Sequence, residues 1–104
     1  MDGEKVITDK LDRLLERYGS NERAYAVIEN AKSAVGGIYK AAEECLIGNV
    51  LDRVAALGRY REYCMESGLP NEVCTELTNA LWIIKAEIPE ILQEKCGCTL
   101  RKYY

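Results

Sequence analysis

The chain has no histidine, no phenylalanine, two prolines, one glutamine and no long apolar run. Each scarcity excludes something. Without His, proton transfer at neutral pH loses its usual carrier, and the Glu-x-x-His pairs that hold a di-iron centre in a helical bundle cannot be assembled. With so little Pro, few points can interrupt a helix. No stretch approaches the roughly 18 apolar residues that a membrane span needs. The opening MDGEKVITDKLDRLL alternates charge with apolar residues, unlike the unbroken apolar block of a secretory signal. The expectation is a cytoplasmic chain with no membrane partner, or a virion-associated one if the source is a virus.

What is present points to one all-α domain. At 104 residues the chain is just large enough to bury a single core. Ala, Glu, Leu, Lys and Arg are abundant, and these are strong helix formers. A net charge of -3 gives no general attraction to phosphate backbones or anionic lipid. Dense charge and seven tyrosines suggest a hyperthermophilic archaeon or a virus of one, whose intracellular proteins carry disulfides.

The apolar spacing predicts helices over about 4–18, 21–47, 49–67 and 71–95 within a single domain 1–104. The first carries Ile7, Leu11, Leu14, Leu15 and Tyr18 on one face, with Gly19 as a left-handed stop and Ser20 as the next cap. The second carries Ala24, Ile28, Ala31, Val35, Ile38, Ala42 and Cys45, at steps of four and three. That stripe keeps phase through Gly36-Gly37. Glycines inside a helix cost about 1 kcal/mol each against Ala, so a continuous helix implies close approach of a neighbour there. A turn at the pair is the alternative, and the retained phase favours continuity. At Gly48-Asn49 the phase slips, which predicts a helix end, a cap at Asn49 and Asp52 in the next first turn. Val50, Val54, Leu57 and Cys64 form the third stripe. Gly68 and Pro70 end it, and Asn71 is expected to cap the fourth, which carries Val73, Leu77, Leu81, Ile84, Ile88 and Leu92. Pro89 predicts a kink or short break.

Five cysteines stand against this background: Cys45, Cys64, Cys74, Cys96 and Cys98. In an antiparallel hairpin turning near Leu69, residues equidistant from the turn face each other. Cys64 and Cys74 lie five residues either side of it and are expected side by side. Cys45 lies 24 residues before it, and Cys96 and Cys98 lie 27 and 29 after it, so Cys45 with one of these would close the far end. An unstrained disulfide contributes about 2–4 kcal/mol, a large share of a domain stability of about 5–15 kcal/mol. The fold expected is thus a four-helix bundle or helical hairpin assembly, antiparallel, with its last two helices stapled. Buried inert thiols are a second reading; metal or redox chemistry is a third. Cys96-Gly97-Cys98 is C-x-C, with no second pair at zinc-finger spacing.

No catalytic set assembles. No Ser or Cys has an evident base partner, and Gly36-Gly37 lies in a helical pattern instead of a phosphate-cradling loop after a strand. Catalytic residues, metal ligands and cofactors are therefore assigned nowhere, and the chain is read as a non-enzyme. Its favoured role is a structural or protein-interaction module that self-associates as a homo-oligomer, with Trp82, Gly36 and Gly37 as candidate contact positions. Two alternatives remain. One is a nucleic-acid-associated accessory subunit using Arg59, Tyr60 and Arg61 with Arg101 and Lys102, because cations interleaved with aromatic rings suit single strands. The other is a cysteine-based redox or metal-binding protein. The segment Ile38-Tyr39-Lys40-Ala41-Ala42-Glu43-Glu44-Cys45-Leu46 resembles a helix of archaeal HEPN-type proteins. That family's Arg-and-His ribonuclease signature has no counterpart in a chain without His, so the resemblance implies no RNA cleavage.

Overall fold

In the computed structural model the described residues are 2–97; Cys98, Arg101 and Lys102 lie outside them. They form four helices, α1 (Asp2–Tyr18), α2 (Glu22–Glu43), α3 (Ile47–Glu66) and α4 (Asn71–Cys96), and no strand. The connections are so short that each helix must return antiparallel to the last. Helix α2 packs against α1, α3 and, across the bundle, α4, whereas α1 and α3 scarcely meet. The cross-section is therefore a flattened diamond with α2 and α4 on its short diagonal. The bundle measures 43 × 24 × 17 Å.

The core follows from the spacing. Ala24, Ile28, Ala31, Val35, Ile38 and Ala42 are all fully buried, with Val27, Tyr39 and Ala41 widening the stripe. Ile7, Leu11 and Leu14 meet it from α1, Val50, Leu57 and Cys64 from α3, and a row from Val73 to Leu92 from α4. Of the residues expected inside, Leu15, Tyr18, Val54 and Leu81 are only half-buried and Cys45 is exposed. Helix α2 is continuous through Gly36-Gly37. A Cβ on Gly37 would come within 2.7 Å of the Arg53 side chain, while one on Gly36 would meet only Glu4 Oε2 at 4.0 Å. The close approach predicted there is thus made by a side chain of α3, and at one glycine of the two. Helix α4 likewise runs through Pro89 without a break.

The helix ends depart from the expectation in informative ways. Helix α2 stops at Glu43, short of Gly48. Cys45 takes a left-handed φ of 60°, and the N–H groups of Cys45 and Leu46 donate to the carbonyls of Ala42 and Ala41. That pairing closes a helix end in the manner usually left to glycine. Gly48 and Asn49 consequently fall inside α3, whose N-cap is Leu46, and Asp52 lies beyond its first turn. The same device ends α3 with Gly68 (φ 66°) and Leu69, as the sequence predicts. Gly19 is not left-handed; a Cβ there would meet the Leu15 carbonyl oxygen at 2.6 Å. Asn21, not Ser20, caps α2, accepting from the Ala24 N–H. Asn71 makes no cap: Pro70 takes that position, and its carbonyl accepts from Val73 and Cys74.

Candidate interaction face on the third and fourth helices

Two cysteine pairs hold this part of the molecule. Cys64 and Cys74 join α3 to α4 beside their connecting turn, with Cα atoms 5.7 Å apart. Cys45 and Cys96, also 5.7 Å apart at Cα, join the turn before α3 to the last residue of α4. The far staple thus reaches α3 through the preceding turn and not through the helix itself. Between the two, α3 and α4 lie alongside with their separation fixed at both ends.

Helix α3 carries a second apolar stripe besides the buried one. Leu51, Val54, Ala55 and Gly58 recur at helical spacing and border a hollow of about 360 Å³ closed on the α4 side by Leu81 and Lys85. Open space lies over Gly58, since a Cβ there would meet nothing within 4 Å. Arg61 crosses from α3 to α4, its Nε donating to Thr78 Oγ1 at 2.7 Å while the Thr78 hydroxyl donates to the Cys74 carbonyl at 3.0 Å. Beside that crossing stands Trp82, 72% exposed, the most exposed large apolar side chain in the described structure. A smaller recess of about 190 Å³ separates its ring from Arg61 and Lys85. One face therefore carries a protruding indole and, beside it, an open hollow.

Of the other contact candidates, Gly37 already faces Arg53 within the chain and Gly36 lies near Glu4. The nucleic-acid candidates separate. Arg59 and Tyr60 line a groove between α2 and α3 together with Arg23, Asn30 and Tyr63, whereas Arg61 belongs to the α3–α4 face. Positions 59 and 61 are two helical steps apart, about 200° around the axis, so one stretch of sequence serves two surfaces. Arg23 and Asn30 were missed in the sequence because they come from a different helix. The exposure of Trp82 was legible as its offset from the Leu81–Ile84 stripe; the hollow at Gly58 was not.

The electrostatics describe a scaffold. Arg17 on α1 donates to Glu72 on α4, and Tyr18 Oη also donates to Glu72. This bonding, Arg17 first, holds the Glu72 carboxyl below its ordinary range. Lys32 pairs with Asp12 at 2.6 Å, and its ammonium is held above its usual value by that contact. The buried Tyr39 hydroxyl and the buried Glu87 Oε1, beside α1, are close enough to act on each other, and no other side chain or backbone group pairs with either atom among the described residues. Burial, then the nearby Glu87 carboxylate, pushes the Tyr39 phenol upward. No group of three or more Cys, Asp or Glu is placed to hold a metal ion among the described residues. No described helix is long and apolar enough to cross a membrane. No protein-family model matches the chain, and neither a curated protein nor a solved structure does.

Proposed function

We propose that this protein is a non-enzymatic interaction module that pairs with a second copy of itself through the α3–α4 face. The observation that carries the reading is the coexistence of knob and hole: Trp82 projects into solvent beside the hollow floored by Leu51, Val54 and Gly58. A two-fold axis through such a face lets each indole enter the other copy's hollow, the self-complementary arrangement of an isologous dimer. The rim suits this pairing, because Arg61, Lys85 and Glu62 all border the hollow, so that Glu62 of each copy can meet one cation of the other across the axis. Burying an aromatic side chain in a desolvated pocket is the commonest way for one residue to dominate an interface. The cysteine staples support the reading by holding the face rigid, so that little ordering is required when it is covered.

Light scattering coupled to size-exclusion chromatography tests it on the wild type, Trp82→Ala and Gly58→Gln. The Gln variant fills the hollow, has free space in the monomer and improves helix propensity. The wild type is expected as a dimer at micromolar concentration and both variants as monomers of unchanged helicity. A monomeric wild type, or a Gly58→Gln variant that dimerises normally, contradicts the proposal.

A further inference from the structure

On the other edge of α3, the N-terminal half of α2 and the C-terminal half of α3 enclose an open groove of about 520 Å³. Helical spacing puts Arg59, Tyr60 and Tyr63 on one wall and Arg23, Ala26 and Asn30 on the other, with the buried Val27 at the floor. Tyr63 is 44% exposed, an unusual state for a ring beside an apolar floor. Both guanidinium groups are exposed, and neither forms an ion pair or side-chain hydrogen bond among the described residues. Here two are left together beside two phenol rings, with Glu22 the single acid on the lining.

We infer that this groove binds single-stranded nucleic acid, one nucleotide at a time. A base stacks on Tyr63 against the Ala26–Val27 floor, and Arg23 and Arg59 take the phosphate. The Asn30 amide, both donor and acceptor, meets the base edge. The charge pattern favours this occupant over an acidic peptide. Two unmatched guanidiniums flanking aromatic faces suit a planar ring joined to a compact anion, while an acidic helix would need a longer apolar trough. The site is distinct from the α3–α4 face and does not depend on dimer formation. With one phosphate held between the two guanidinium groups, the logarithm of affinity should fall against the logarithm of salt with a shallow slope of about −0.7.

Fluorescence anisotropy of a labelled eight-nucleotide oligouridine, titrated with the full chain at low and moderate salt, tests the inference. Saturable binding with that slope is expected. Arg59→Gln and Tyr63→Ala, both surface changes whose folding is checked by circular dichroism, should each weaken it about fivefold or more, and Arg61→Gln and Trp82→Ala should leave it unchanged. Absence of saturable binding at low salt overturns the inference. So does an Arg61→Gln loss equal to that of Arg59→Gln, or equal competition by an unlabelled duplex, whose bases are not free to stack.

Discussion

Tyr39 is the residue at which the fold tolerates the most evident discomfort. Its ring belongs to the core, and its hydroxyl meets only the Glu87 carboxylate, whose Oε1 is itself buried; a buried polar group left unpaired costs about 1–3 kcal/mol. The phenol's ordinary value is 10.0, and in the fold burial raises it. The neutral form is therefore favoured by folding. That contribution is fully present below pH 10 and is lost as pH rises above it, when the unfolded chain's phenol ionises. Tyr39→Phe should destabilise the protein by about 1–2 kcal/mol at neutral pH, because it leaves the buried Glu87 oxygen with no donor beside it, and flatten the loss of stability above pH 10. Thermal melts of both proteins at pH 7 and above pH 10 check this; a Phe variant as stable as the wild type at neutral pH would mean that the hydroxyl and the Glu87 carboxylate do not meet.

At the scale of elements, periodicity carried the most information. The second helix was legible through its glycines because buried residues on both sides of Gly36-Gly37 share one phase, and a turn would have broken it. The break between α2 and α3 was misplaced for an equally physical reason. Gly48-Asn49 looks like a stop and a cap, but the chain reverses at Cys45, a residue with no intrinsic preference for left-handed φ, where the cystine to Cys96 also anchors the backbone. Spacing about the Leu69 turn anticipated that bond but not the left-handed turn at Cys45, which no local propensity signals. The candidate surfaces were half legible: Trp82 and Arg59 stood out individually, whereas each groove needs residues from a second helix. Glycine substitutions separate the two roles the residue plays here. Gly36→Ala has room and should raise stability by about 0.5–1 kcal/mol. Gly68→Ala, forced into a left-handed φ of 66°, should lower it by about 1–2 kcal/mol. Urea titration of the two variants reads both signs, and destabilisation by Gly36→Ala would show that the small residue is needed for a contact the monomer does not make.

For the whole molecule, the question is what keeps so elongated a bundle in one arrangement. The core is continuous, but α1 and α3 scarcely touch, and the ion pairs across the surface are exposed ones of the kind that contribute little. The cysteine pairs are the strongest constraint. By loop-closure entropy the pair separated by 51 residues contributes about 4 kcal/mol and the pair separated by 10 about 2.7 kcal/mol. Together they are comparable to the net stability of an ordinary small domain, and they hold in place the α3–α4 face on which the proposed pairing depends. Peptide mapping of freshly purified, unreduced protein, alkylated as it is unfolded, tests this claim most directly. Two cross-linked fragments are expected, one joining the peptides of Cys64 and Cys74 and one joining those of Cys45 and Cys96. Five alkylated cysteines, or Cys45 joined to Cys64 or Cys74, would contradict it.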